Sequence, residues 1–260
     1  MISRLPPTLR RSLAHAYHIL LLASRDGFRL LDVTVWPLVL FLSMTLFAGS
    51  FTHDRSVLGV IILGALGWRV IYHFQMEAVT LYMDNYWQGM IEHVMISPVR
   101  WWDFILGGAI CAVVKILVIA LVFLGLGQLM FQFRIEHWLP TLGGFLACAA
   151  CGLVLAIFSM GVAFLKRGDA YAFIFAFPDV IAVLSGVFYP TTVFPAPVRI
   201  LAQALPTTHA FNLLKSTLGR AQPDLPKFFL TLGLWLLLGA AFTTWALGRA
   251  RRDGKLVKMK

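Results

Sequence analysis

The sequence predicts an all-α integral membrane protein. It has six transmembrane helices, an N-terminal amphipathic interface helix, and a re-entrant helical segment between the fifth and sixth spans. Three observations predict this. Hydrophobic residues make up 59% and charged residues 13% of the 260, at a mean hydropathy of +0.80, whereas a soluble domain averages about 25% charged. Apolar runs of span length recur along the chain, and this length suits roughly six spans of about 20 residues joined by short loops. Finally, the stretch 178–220 is apolar enough to enter a bilayer yet carries Pro178, Pro190, Pro195, Pro197 and Pro206, with Gly186 among them. Each proline removes a backbone donor and disfavours helix before it, so no continuous helix is expected through the stretch. Non-helical backbone at membrane depth persists only where protein or a wet cavity satisfies its polar groups. A span ending near Val187, a turn, and short helices dipping back into the outer leaflet are therefore expected.

In chain order, residues 9–33 place Arg11, His15, His18, Arg25 and Arg29 at helical spacing, opposite Leu9, Leu13, Tyr17, Leu20, Leu21 and Phe28. That is the pattern of a helix lying in the headgroup layer with its basic face to water. The first span is read as Trp36–Phe51, beginning a little earlier because that run is short, and the second as Val57–Met83, its far end continuing as helix into water. A polar break from Asp84 to Asp103 precedes the third span, Phe104–Met130. The fourth runs Trp138–Leu165, the fifth Ala170–Val187, and the sixth Lys227–Gly248.

The formal charge of +10 could suggest nucleic acid, but the basic residues sit at the chain ends and not on one patch, which membrane orientation explains. One side holds fourteen Lys and Arg, in the N-terminal segment, the 84–102 loop, Lys166/Arg167 and the tail. The other holds six: Arg55, Arg134, Arg199, Lys215, Arg220 and Lys227. The bias places both termini in the cytoplasm, the Pro-rich segment outside and the 84–103 loop inside. Cys148 and Cys151 resemble a redox or metal pair only superficially, having no companion pair, and read as small-residue helix packing. The N-terminus does not read as a signal peptide. No metal motif and no nucleophile–base set stands at readable spacing.

Arg69, Lys115 and Asp179 each fall about eleven or twelve residues into their spans, roughly 17–18 Å deep at 1.5 Å per residue, and Arg69, His73 and Glu77 form an i, i+4, i+8 row. A charge at that depth costs about 2.5–3.5 kcal/mol on insertion scales. Two readings follow. The charges pair internally, Arg69 with Glu77 or Lys115 with Asp179, or Arg69 and Lys115 line a pathway for an anionic group such as a lipid-linked pyrophosphate. Trp68, Tyr72, Phe74, Tyr171, Phe173, Phe175, Phe177 and Tyr189 suit either sugar stacking or interfacial packing.

Two stretches carry a family resemblance over nearly the whole chain. WQGMIEHVMISPVRWWDF (87–104) resembles the cytoplasmic stretch of type-2 ABC exporter membrane subunits at Gly89, Glu92, Ile96, Ser97 and Pro98. LSGVFYPTTVFPAPVRILAQALPTTHAF (184–211) resembles their external segment at Ser185, Gly186, Tyr189, Pro190, Pro195, Leu205, Pro206 and Thr208. Asp103 stands where Glu is usual, and Trp101-Trp102 is bulkier than typical. The resemblance implies one permease domain over 1–260, two copies around a shared pathway, and a separate nucleotide-binding subunit that carries ATP and Mg. It also implies a multi-pass location in a bacterial-type inner or plasma membrane, and a coupling helix at Gly89, Ile91, Glu92, His93, Ile96, Ser97 and Pro98. Residues 188–226 would form the external segment, gated at Ser185, Gly186, Tyr189, Pro190, Pro195 and Pro206. No cofactor is expected in this chain, which has no G-x-x-x-x-G-K-[ST] run. Family members of this layout export polysaccharides, lipid-linked glycans or drugs. A glycan is the favoured substrate, with a drug, antibiotic or lipid as the alternative and an ATP-independent secondary transporter as the different-class reading.

Overall fold

The computed structural model describes residues 6–52, 54–90, 100–166 and 169–253, and among these no strand occurs. The chain runs α1 (Pro7–Arg25), α2 (Gly27–Phe51), α3 (Arg55–Trp87), α4 (Trp101–Phe131), α5 (Trp138–Lys166) and α6 (Ala170–Leu184). A 3-10 turn at Thr191–Val193 leads to α7 (Ala196–Gln203), α8 (Pro206–Ser216) and α9 (Leu225–Arg252). Among the described residues five helices, α2 to α5 and α9, are long and apolar enough to cross a membrane, and α6 is a shorter apolar helix.

The axis of the fold is α3. Two-thirds (67%) of its most apolar window is buried, against 11% for α9, so α3 is the hub and α9 a peripheral rod. α4 and α5 flank α3, α1 lies on α4, and α9 lies on α5. Small residues set these approaches: a Cβ on Gly108 of α4 would fall 2.4 Å from the Ala78 nitrogen, and one on Gly152 of α5 would fall 2.7 Å from the Ile71 carbonyl oxygen. Lipid offers no hydrophobic drive between helices, so close backbone packing supplies the attraction. Cys148 and Cys151, both fully buried and unbridged, fill the same seam. Gly108→Leu is expected to lower the thermal midpoint and the yield of monodisperse protein, by overpacking of about 1–3 kcal/mol. A variant melting with the wild type would show that α3 and α4 can part freely.

Three apolar clusters stack along α3. One, around Tyr82, Phe104, Phe164 and Ala246, joins the ends of α3, α5 and α9 to the start of α4. The next holds Ile71, Cys148, Phe211 and Leu214, and the third Phe41, Ile62, Leu66 and Phe123. Outside, Val113, Leu117 and Leu121 of α4 form an exposed i, i+4, i+8 ridge, continued by Leu129, Leu139, Leu230 and Leu237 elsewhere. Apolar exposure on this scale is a lipid-facing surface.

Several boundaries differ from the sequence reading. The first helix stops at Arg25, because Asp26 is extended (φ −110°, ψ 110°), and residues 27–33 belong to the helix of the first span. Arg11 and His15, expected to face water, are partly covered by α4: Arg11 Nε lies 2.9 Å from the buried carboxylate of Asp103, and His15 stacks on Phe104 at 4.8 Å. Tyr17 and Leu9 stay exposed. Pro178 lies inside α6 without ending it, as membrane helices tolerate where neighbours re-satisfy the freed groups. α6 itself is 15 residues long, about 22 Å at 1.5 Å per residue.

Candidate functional site

The charges along α3 resolve into a buried cluster. Glu77 Oε1 accepts from Lys115 Nζ at 2.6 Å and lies 3.3 Å from His73 Nδ1, while Cys111 Sγ approaches Oε2 at 3.5 Å. Neither pairing expected from sequence occurs: Glu77 takes Lys115, not Arg69, and Asp179 is exposed on α6. Arg69, buried, has its guanidinium 5.4 Å from the Tyr72 ring centroid, a cation–π distance. Around them lie the part-buried Trp68, Tyr72 and Tyr171 and the exposed Phe173 and Phe175. Tyr171 stacks on Phe175 at 5.2 Å and Phe173 on Phe177 at 5.0 Å. Gln75, which the sequence reading passed over, ties three helices, its amide donating to Ser159 Oγ at 2.9 Å and to the Ile174 carbonyl at 3.1 Å. A lone amide in an apolar span was the available signal.

At one end of the bundle the Pro-rich stretch folds back on itself. α6 ends at Ser185 and Gly186, the latter at φ +63°, where a Cβ would also meet the Tyr189 carbonyl at 2.8 Å; only glycine turns there without strain. Pro190 caps the 3-10 turn, Pro195 caps α7, and buried Pro206 opens α8. Prolines at helix starts lose only a donor that would be idle anyway, so these residues punctuate short helices. α8 is driven inward by Thr207, Ala210, Phe211 and Leu214, packing on α5 and α3.

Hydrogen bonds then pin the turn. Lys215 Nζ donates to the carbonyls of Gly186 and, at 2.9 Å, Tyr189. The Ser185 and Thr207 hydroxyls bond to one another, and the Tyr189 hydroxyl donates to the Val183 carbonyl at 2.6 Å. Trp235 of α9 donates to the Ala204 carbonyl at 2.9 Å. Lys215 had counted only toward orientation in the sequence; its partners are carbonyls, which no side-chain pattern reveals. Beyond α8, Arg220 reaches Asp54 and Ser56 at the start of α3. The Ser56 hydroxyl and N–H, with Arg220 adding less, hold the Asp54 carboxyl below its ordinary range.

At the opposite end, α3 closes in a tight stop. Gly89 (φ +71°) donates to the Tyr86 carbonyl at 3.1 Å and Met90 to that of Asn85 at 2.9 Å, the paired bonds of a Schellman motif. Ile91, Glu92, His93, Ile96, Ser97 and Pro98 lie outside the described residues. At the start of α4 the Arg100 N–H donates to Asp103 at 2.9 Å. The same carboxylate meets Arg11, so α1 is tied to the first turn of α4. Trp101 and Trp102 stack beside it at 3.6 Å. Burial holds the nearby His15 imidazole below its ordinary 6.5, against the pull of Asp103.

The family model for the ABC-2 type transporter matches residues 26–219, from the residue just before α2 to the turn after α8. No curated protein matches the chain.

Proposed function

Because this chain belongs to the ABC-2 type transporter family, as the permease component and not the ATPase, we propose that two copies of it enclose an export pathway for a polysaccharide or lipid-linked glycan. A separate nucleotide-binding subunit carries ATP and Mg. The observation that carries this reading is Asp179. A carboxylate exposed on an apolar helix is costly against lipid, so its face of α6 belongs against water or a second copy. Arg69 on α3 and the aromatics of α3 and α6 supply the chemistry: rings for stacking on sugars, a guanidinium for a pyrophosphate.

In this reading α6 is the fifth of six spans, completed by the folded-back segment as a re-entrant hairpin on the outer side. The positive-inside bias puts both termini in the cytoplasm. Residues 91–99 form the coupling segment, bounded by the Gly89 stop and the Asp103 tie. Lys115, His73 and Glu77 form an internal cluster, leaving Arg69 and Asp179 as the pathway pair. The second reading, a hydrophobic drug or lipid, is favoured by one feature: an apolar cavity of about 530 Å³ between α5, α8 and α9, lined by Leu146, Leu213, Phe228 and Phe229.

The test is reconstitution with the ATPase subunit and a fluorescent lipid-linked glycan. Arg69→Gln and Asp179→Asn are each expected to cut glycan export by tenfold or more, about 1.4 kcal/mol, in folded protein. Glu92→Lys is expected to uncouple ATP hydrolysis from it. Export by the chain alone, without nucleotide, would refute the ATP-driven reading, and full export by both pathway variants would refute the glycan route.

A further inference from the structure

At the end of the bundle that carries the folded-back segment, a cavity of about 860 Å³ opens between the start of α3, the end of α4, the 132–137 connection and the turn after α8. Its lining is cationic for its size: Arg55, Arg134 and His137 against one acid, Glu136. Among the described residues neither arginine meets a carboxylate. Arg55 donates to the neutral amide oxygen of Gln132 at 2.8 Å, and Asp54, the acid beside it in sequence, is committed to Arg220 and Ser56. Gln132 sits in the left-handed region at φ +52°, a conformation costly for a residue with a Cβ. It is the cap that ends α4, its N–H bonding back to the Gln128 carbonyl at 3.1 Å, a common helix ending, and its side chain holds Arg55 at the cavity wall.

Arg55 and Gln132 also form the wall of a second, smaller cavity of about 350 Å³, whose other side is Leu46, Leu58, Met130 and Phe131. A cationic chamber therefore adjoins a smaller one of mixed lining across a shared arginine. Leu129 lines the chamber, and exposed Trp138 and Leu139 follow its His137 in sequence, residue types at home in a bilayer interface. We propose that this pair of chambers binds a phosphate-bearing anionic headgroup. The phosphate lies between Arg55 and Arg134, His137 is within the same chamber, and any attached acyl chain lies along Leu46 and Phe131. Arginine suits this because its guanidinium matches phosphate oxygens bidentately. The bound group would bridge α3, α4 and the exit of α8.

The inference is independent of what the pathway carries, and its test needs no transport. The full chain is placed in nanodiscs of phosphatidylglycerol or of phosphatidylcholine, and retained lipid is counted by native mass spectrometry, with inorganic phosphate as a competing arm. Arg55→Gln/Arg134→Gln is expected to lower phosphatidylglycerol retention about tenfold. Arg134→Gln, an exposed change with no partner to lose among the described residues, should account for a measurable share. Lys227→Gln, which removes the same charge from the surface elsewhere, should do nothing. Displacement by millimolar phosphate assigns the site to the phosphate group itself; no displacement assigns it to the intact lipid. Equal retention of both lipids by the wild type, retention unchanged in the double variant, or an equal loss in Lys227→Gln would overturn the proposal.

Discussion

Glu77→Ala is expected to be the most damaging single change in the bundle. It strips the Lys115 ammonium of its 2.6 Å partner and leaves His73 without its acceptor, where side-chain exposures are only 7% for Glu77 and 11% for Lys115. Removing one member of a buried ion pair costs about 3–5 kcal/mol, whereas replacing both by apolar side chains is often neutral. The thermal midpoint of Glu77→Ala in detergent should fall steeply, and Glu77→Leu/Lys115→Met should recover most of the loss. A single variant that melts with the wild type would show that the pair contributes nothing. Equal loss in the single and double variants would show that shape, not charge, holds α3 to α4 there.

The second large effect is expected from Lys215→Met. Its ammonium is the common donor to the Gly186 and Tyr189 carbonyls, and hydrogen bonds to charged groups contribute about 1.5–3 kcal/mol each. Without it the turn between α6 and α7 loses its bolt while Phe211 and Leu214 still anchor α8 in the core. The predicted result is therefore local. Amide exchange should accelerate by tenfold or more across residues 186–204, with little change in α3 or α5. Lys215→Arg should restore part of the protection. Uniform exchange across the variant and wild type would remove Lys215 from this role.

The sequence carried the helices well and their mutual rotation poorly. Long apolar runs bounded by polar or Pro-rich breaks made α3, α4, α5 and α9 legible, since lipid demands closed backbone hydrogen bonding. Pro190, Pro195 and Pro206 marked breaks in the helix, and the structure places each at the start of a short helix or turn. What failed was pairing. Whether Glu77 meets Arg69, Lys115 or nothing depends on how far α4 is turned about its axis, which Gly108 against Ala78 decides and spacing along one helix cannot. The end of α1 at Asp26 was hidden because the amphipathic pattern runs on through Arg29 while the backbone does not. Arg11 looked solvated because its partner, Asp103, lies over ninety positions away.

With 33 residues and no proline, α3 is about 50 Å from end to end at 1.5 Å per residue, well beyond the hydrocarbon thickness of about 30 Å. Such a rod has no joint of the usual kind. If the proposed coupling role holds, a push delivered at the Gly89 stop arrives, without being absorbed midway, at the Asp54–Arg220 clasp. This helix is a stiff connecting rod between the two faces of the membrane, and a proline placed near its midpoint would disconnect them while leaving each face built as before.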